Sequence, residues 1–222
     1  MSKFKDNGKL SVGFVVTHPF HGSMGSILRV VELTQSLSNL GVRCHVYSPY
    51  PREKCWGEKV SFHHIPNLAS TLGLQNSLYN LTRRALNNPH VMRHIVLKKS
   101  ILENRINSLT KGLLKAMKDG EVNIIQGEQE IAAVACVRAR DSLKVPVVAC
   151  LHNIWPEELA AMGIINKSSE QYANLEEIER EIQRDSDAVV VVSNEMARYL
   201  EQKYSVKKDH IKAVSYTHLT LP

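Results

Sequence analysis

The sequence predicts a doubly wound α/β fold: a Rossmann-like parallel sheet with helices on both faces. Strand and helix patterns alternate through residues 10–213. Strands such as residues 188–192 are apolar without alternation, which is typical of strands buried on both faces of a parallel sheet. No repeat of fixed period and no linker divides residues 1–213, so we expect them to form one domain.

The first part of the chain is predicted to fold in the order strand, helix, strand, strand. An apolar run over residues 10–17 predicts the first strand, and a glycine-containing loop separates it from an amphipathic helix over residues 26–40. Gly41 stands where a helix terminator is expected. The second and third strands are predicted over residues 42–48 and 60–65, each followed by prolines.

The remainder continues the alternation. A basic helical region falls within residues 80–118, with a possible break near Asn87, Asn88 and Pro89. Strands and helices then follow in turn, separated by a loop at residues 152–169. The predicted strands are residues 122–126, 145–151 and 188–193, and the predicted helices are residues 130–143, 170–184 and 195–204.

Composition limits the class of protein. Of the 222 residues, 43% are hydrophobic, and no apolar run approaches the roughly 20 residues of a membrane span or resembles a signal peptide. We therefore expect a cytoplasmic protein. The cysteines do not form Cys-x-x-Cys pairs, so neither disulfides nor a zinc site is indicated. They are Cys44, Cys55, Cys136 and Cys150.

The net charge of +6 is concentrated in the basic region at residues 80–118. Apolar residues recur there at helical spacing, which predicts a basic amphipathic helix. One interpretation is a solvated face on a packed helix; the other is a peripheral contact with anionic lipid headgroups at the inner face of a membrane. Nucleic acid is not expected as a partner, because no recognised binding motif or aromatic platform accompanies the charges. The membrane candidates are Arg93, Lys98, Lys99 and Arg105.

The first candidate site is the loop between the first strand and its helix. Gly22, Ser23, Met24 and Gly25 lead into a helix whose free N–H groups favour an anion such as a diphosphate. The alternative is an ordinary tight turn. The loop is not a G-x-G-x-x-G fingerprint, and the second strand ends without the acidic residue that would bind the ribose of NAD, so a nicotinamide dehydrogenase is not expected.

Three further candidates follow predicted strands, where ligands bind in parallel sheets. Glu128 is positioned to accept sugar hydroxyls or to serve as an ordinary helix-start carboxylate. His152 comes directly after a buried strand, with Asn153 beside it, and can orient a phosphate or act as a base. Ser193 ends the valine-rich strand, where it either contacts ligand or caps the next helix.

These four candidate segments, taken in this order along the chain, resemble the amino-terminal, acceptor-side domain of GT-B glycosyltransferases. The resemblance is to the retaining family four in particular. The resemblance covers nearly all of residues 10–213. It depends on the glycine-containing turn ending at Gly25, the helix end at Gly41, the strand that delivers His152 and the buried strand that ends at Ser193. Two features depart from the family pattern. Gly22-Ser23-Met24-Gly25 stands where adjacent glycines are common, and Asn153 follows the histidine.

The resemblance implies transfer of a sugar, with retention, from a nucleotide-sugar to a sugar, polysaccharide or lipid-linked acceptor. His152 would be the catalytic candidate, orienting the donor sugar or its phosphate, and no metal or cofactor would be needed. The family's donor site lies in a second domain, so residues 1–213 alone are expected to be inactive.

Two alternatives remain open from the sequence. A non-catalytic nucleotide- or sugar-binding module would bind its ligand tightly by itself. Half of an epimerase-like GT-B protein would share the sheet but would not depend on His152. The sugar and the acceptor cannot be read from these residues, because loops vary within one fold.

The last nine residues, 214–222, are interpreted as foreign to the protein. They resemble the translation of a transposase-end sequencing adapter in one frame, and their pattern fits no regular secondary structure well.

Overall fold

The computed structural model describes residues 10–17, 25–50, 52, 56–66, 97–118 and 121–214. These residues contain seven strands and six α-helices. The strands are β1 Ser11–Val16, β2 Arg43–Ser48, β3 Val60–His64, β4 Ile124–Glu128, β5 Val147–Leu151, β6 Ala188–Val191 and β7 Ile211–Ala213. The helices are α1 Gly25–Asn39, α2 Lys99–Ala116, α3 Gln129–Leu143, α4 Trp155–Ala161, α5 Glu170–Asp185 and α6 Asn194–Tyr204.

The seven strands form one sheet in the order β3-β2-β1-β4-β5-β6-β7, and every neighbouring pair is parallel. The chain runs outward from β1 to β3 and then returns to the other side of β1 to form β4. This reversal creates a switch point between β1 and β4, which is where ligands bind in open α/β sheets. The predicted doubly wound class is confirmed.

Strand β1 is buried along its whole length and illustrates why the sheet has two covered faces. Val12, Phe14 and Val16 form a cluster with residues of α1 and β2. Val15 belongs to a second cluster, with residues of α2 and α3. Because successive side chains of a strand point to opposite faces, this division requires helices on both sides of β1.

The turn from β4 into α3 is unusually tight. A Cβ atom at Gly127 would lie 2.5 Å from Cα and 2.6 Å from the backbone nitrogen of Ala133, so only glycine fits there. Gln129 follows with a φ of 66°, a conformation that costs free energy for a residue other than glycine. Strand β4 therefore extends two residues beyond the predicted end at residue 126 and carries Glu128 to the edge of the sheet.

Two elements were not predicted. Helix α4 lies in the segment expected to be a loop, and Pro156 favours its start because proline is tolerated in the first turn of a helix. Strand β7 has three residues, of which only Ile211 is buried, so it lacks a clear apolar pattern. The backbone N–H of Val214, the first residue of the interpreted adapter tail, donates to Val191 O at 2.8 Å. The rest of that tail lies outside the described residues.

Helix α2 confirms an amphipathic helix in the described part of the basic region. Its buried stripe packs towards the core, and its neighbour α3 lies alongside it. The predicted break near Asn87 lies outside the described residues. Among the helices described, none is both long enough and apolar enough to cross a membrane. The stripe consists of Leu102, Ile106, Leu109, Gly112 and Leu113.

Candidate active site at the carboxyl edge of the sheet

The carboxyl ends of β1, β4 and β5 meet at one edge of the sheet. Glu128, the last residue of β4, is in register with Val16 on one side and with Cys150 on the other. His152 follows β5 directly, and Arg29 approaches from the first turns of α1. The topology therefore brings together side chains from three segments that are far apart in the sequence.

Arg29 is the centre of this cluster. Its Nη2 donates to Glu128 Oε2, and it lies 3.0 Å from both Cys150 Sγ and His152 Nε2. The Arg29 and Glu128 side chains are only 8% and 4% exposed. Each side chain therefore neutralises the charge of the other, which would otherwise be buried without a counter-ion.

The carboxylate of Glu128 is engaged at both oxygens. Gln126 Nε2 donates to Oε1 at 2.5 Å, while Oε2 accepts from Arg29. With its side chain buried and both oxygens occupied, Glu128 acts here as an anchor for Arg29. Glu128 also stands at the start of α3, as one of the two interpretations of the sequence expects, but its side chain makes no capping hydrogen bond. Contact with sugar hydroxyls stays a prediction.

His152 is held at the rim of the cluster, with its side chain 16% exposed. A guanidinium group only donates, so the contact with Arg29 Nη2 makes His152 Nε2 an acceptor, and in the neutral ring the proton is then on Nδ1. The 3.3 Å separation between Nε2 and Glu128 Oε2 is a contact between two atoms that share the Arg29 donor. The contact with Arg29 thus fixes the orientation of the imidazole through Nε2, the ring nitrogen that faces the cluster.

Cys150 lies beside these groups but does not supply a nucleophile. Burial, together with the neighbouring Glu128 carboxylate, raises the pKa of the Cys150 thiol to about 12. The thiolate is the reactive form of cysteine, and at neutral pH this side chain stays protonated.

The segment after β5 is tied down by Glu179 of α5. The backbone N–H of Trp155 donates to Glu179 Oε1 at 2.9 Å, and the Tyr204 hydroxyl donates to Oε2 at 2.7 Å. Burial raises the pKa of Glu179 to about 7. These contacts hold the start of α4, and with it the short segment that follows His152.

The other predicted site residues are distributed as follows. Asn153 Nδ2 donates to Glu158 Oε2. Ser193 caps α6, because its Oγ accepts from the backbone N–H of Met196 at 3.1 Å. Gly25 is the first residue of α1. Gly22, Ser23 and Met24 lie outside the described residues.

Three of the four residues predicted to face a membrane lie within the described part of the chain. Lys98, Lys99 and Arg105 are exposed, and Lys99 Nζ forms an ion pair with Glu177 of α5 at 2.9 Å. Arg93 lies outside the described residues. Contact between α2 and lipid stays a prediction. The ion pair shows that Lys99 of α2 binds the neighbouring helix α5.

Sequence reasoning missed Arg29. A lone arginine in a predicted amphipathic helix is usually assigned to the solvent face. A signal was nevertheless present: Arg29 precedes Leu33 by four residues and Leu37 by eight, so it occupies the apolar stripe of the helix. A charge on that stripe implies a buried partner.

Two clusters of described residues bring together three side chains that are able to bind a metal. In the first, formed by Glu128, Cys150 and His152, the Arg29 guanidinium contacts all three residues and Cys150 is protonated. Both features oppose a cation. The second cluster, His45, His63 and Glu121, contains no such guanidinium contact among those described.

Comparisons with known proteins agree with this fold. The sequence profile of glycosyltransferase family 4 matches residues 25–215. No curated protein matches the chain.

Several solved structures share this fold at low sequence identity. HepE from Anabaena, in complex with UDP-glucose, is 13% identical with a TM-score of 0.53, and the match covers 93% of this chain and 43% of HepE. Sucrose-phosphate synthase from Thermosynechococcus elongatus is 12% identical with a TM-score of 0.58, covering 93% and 48% of the two chains. UGT2 from Phytolacca americana, complexed with UDP-2-fluoro-glucose and pterostilbene, is 10% identical with a TM-score of 0.55, covering 93% and 52%.

The chain thus spans about half the length of the solved structures that it matches. Its sheet is the Rossmann-like half of a GT-B architecture, and its family match extends over most of its length. The chain belongs to glycosyltransferase family 4.

Proposed function

We propose that this chain is the acceptor-side half of a longer glycosyltransferase that transfers a hexose from a nucleotide-sugar to an acceptor, with retention of configuration. The family match supports the reaction class. The coverage of about half of each matched structure supports the presence of a second domain in the whole enzyme. HepE and UGT2 were solved with UDP-sugars, which supports a nucleotide-sugar donor.

The observation that carries this proposal is His152 at the switch-point edge, oriented by Arg29 and Glu128. In our scheme the Nδ1 proton of His152 donates to a hydroxyl or phosphate oxygen of the donor. The buried ion pair keeps the ring in one orientation, so binding does not have to order it. His152 is the catalytic residue of this scheme, and Arg29 and Glu128 are positioning residues.

The start of α1 supplies a second part of the scheme. A diphosphate leaving group gains negative charge as the glycosidic bond breaks, and free N–H groups at a helix start stabilise such charge. Helix α1 begins at Gly25, and Gly22, Ser23 and Met24 precede it directly in the sequence. No metal or cofactor takes part in this scheme. The acceptor is a sugar, a polysaccharide or a lipid-linked glycan.

The proposal is tested on the full-length product of the same gene. We expect it to transfer a hexose from one of a panel of UDP-sugars, and NMR of the product to show the anomeric configuration of the donor. His152→Ala should lower kcat by about 100-fold, the loss typical of a misplaced reacting group. His64→Ala is the matched control, because His64 is exposed on β3 and should leave kcat unchanged.

Two results would contradict the proposal. If His152→Ala leaves turnover intact, the enzyme uses other residues, as an epimerase-like protein would. If this chain alone binds a nucleotide-sugar tightly and the full-length protein transfers no sugar, a binding module is the better description.

A further inference from the structure

A second cluster of polar side chains lies where β2 and β3 approach the connection between α2 and β4. Glu121 stands in the connection between α2 and β4, where its backbone carbonyl accepts from Ser11 Oγ at the start of β1 at 2.8 Å. His45 of β2 and His63 of β3 face it. None of these side chains belongs to the candidate active site.

The fold places the two histidines on the same face of the sheet. Tyr47 is in register with His63, and His45 lies two residues before Tyr47 on β2, so all three side chains point the same way. A Cβ atom at Gly13 would lie 3.1 Å from the Tyr47 ring, so a larger residue there would crowd this face. The rings of Tyr47 and His63 stack with centroids 4.6 Å apart.

The donor atoms form a compact triangle. His45 Nδ1 and His63 Nε2 are 2.9 Å apart, and Glu121 Oε1 lies 3.7 Å from the first and 3.6 Å from the second. Ligand atoms at about 2.0–2.1 Å from a tetrahedral zinc ion are separated by about 3.4 Å. The three observed distances bracket that value.

We propose that His45, His63 and Glu121 form a binding site for a divalent transition-metal ion of the zinc type. Two imidazoles and one carboxylate are a ligand set that zinc accepts, and water completes the tetrahedron. The side chains are 11%, 23% and 18% exposed, so the site is partly enclosed but reachable from solvent.

Glu121 is already oriented for this role. The Tyr47 hydroxyl donates to Oε2 at 2.9 Å and the backbone N–H of Lys118 donates to the same oxygen at 3.3 Å. These two donors leave Oε1 facing the imidazoles. Hydrogen bonds of this kind to the ligands of a metal fix their geometry and contribute to affinity.

Binding requires a small adjustment of the histidines. The centroids of the two rings are 5.2 Å apart. This is about the 2.9 Å between the two nitrogens plus one ring radius on each side, so the rings meet edge to edge. One proton lies between them in this arrangement. The cation replaces that proton, and the rings tilt so that both lone pairs converge on it.

The site would join three segments that are distant in the sequence: β2, β3 and the connection before β4. In the sheet formed by the described residues, β3 is the edge strand and pairs with β2. A metal here would therefore secure this edge strand to β2 and to the connection before β4. This inference does not depend on the proposed sugar transfer.

The test is titration of the intact 222-residue chain with Zn²⁺ by calorimetry and with Co²⁺ by absorption spectroscopy. We expect one ion per chain, a tetrahedral Co²⁺ spectrum without thiolate charge-transfer bands, and a higher melting temperature with Zn²⁺. His63→Gln should lower the affinity by more than the 10- to 100-fold loss typical of a lost outer hydrogen bond, and Tyr47→Phe should lower it by about 10-fold.

His64→Gln is the matched control, since His64 is the neighbouring residue of β3 and is exposed on the other face. It should bind Zn²⁺ as the parent chain does. Circular dichroism checks that each variant is folded. The absence of stoichiometric binding to the parent chain would overturn the proposal and leave a shared proton as the only link between the histidines. Thiolate bands, or undiminished binding in a folded His63→Gln variant, would place the metal elsewhere and would also overturn it.

Discussion

Arg29 is a buried cation that forms an ion pair with the Glu128 carboxylate. Glu128→Gln removes the negative charge but keeps the shape of the side chain. Because an uncompensated charge in a buried position is costly, we expect the free energy of unfolding to fall by about 3 kcal/mol. Denaturation with urea, monitored by circular dichroism, measures this change.

The double variant Arg29→Met/Glu128→Met separates the cost of an unpaired charge from the value of the pair. Apolar side chains of similar length remove both charges at once, and we expect most of the lost stability to return. A double variant that is as unstable as the sum of the single variants would show that the two side chains act independently.

At this scale the sequence predicted some of the site and missed its centre. His152 and Glu128 were found because residues that follow buried strands lie at the ligand-binding edge of a parallel sheet. Arg29 lies on the apolar stripe of its helix, but its partner Glu128 is 99 positions away, and no local pattern identifies that partner. The neighbourhood of His45, His63 and Glu121 is hidden for the same reason, as it requires the register of β2 and β3.

Among the elements, α3 is held between α2 and α5 by one arginine. Arg138 Nη1 donates to Glu103 Oε2 of α2 at 2.6 Å, and Arg138 Nε donates to Glu181 Oε1 of α5 at 2.7 Å. The hydrogen bonds to Glu181 and Glu103 raise the pKa of Arg138, whose guanidinium stays charged. This network joins three helices on the same side of the molecule.

We expect Arg138→Met to lower the free energy of unfolding by about 1–2 kcal/mol, because both carboxylates lose a two-pronged partner. Arg184→Met is the matched control. Its guanidinium is 69% exposed and pairs with the adjacent Asp185, so its loss should cost much less stability than the loss of Arg138. Thermal and urea denaturation compare the two variants, and equal losses would argue against the network.

Most elements were predictable because their apolar patterns are regular. The strands of the described sheet that carry long apolar runs were identified, whereas β7 was not, since one buried residue makes no pattern. Helix α4 was missed because it has only seven residues within a segment interpreted as a loop, although Pro156 suits a helix start. The role of Gly127 was also out of reach, as the contact that excludes a side chain comes from α3 packing back on β4.

For the molecule as a whole, a buried acid should make stability depend on pH. Burial raises the pKa of Glu130 to about 8, and the nearby carboxylates of Glu179 and Glu158 add to the effect. From about pH 4.5 to 8 the carboxyl is ionised in the unfolded chain but protonated in the folded one. The folded state then binds more protons, so Glu130 makes stability fall as pH rises, by up to about 1.4 kcal/mol per pH unit.

Glu130→Gln removes this contribution and keeps the size of the side chain. We expect the variant to gain stability relative to the parent chain as pH is raised from about 5 to about 8. Urea denaturation across that range gives the difference between the two proteins at each pH. Glu58→Gln, at an exposed position, serves as the control and should show a constant difference. A constant difference for Glu130→Gln would mean that Glu130 ionises normally.

The contact between Gly127 and Ala133 has a consequence for how such a molecule works. Because there is no room for a methyl group between β4 and α3, the two backbones are in close contact, and we expect the strand, the helix and Glu128 to move together. The wall of the crevice is then already ordered before a ligand arrives, so little conformational entropy is lost on binding. Adaptation to a bound ligand is consequently expected in the loops around this wall, while the wall itself tolerates almost no change.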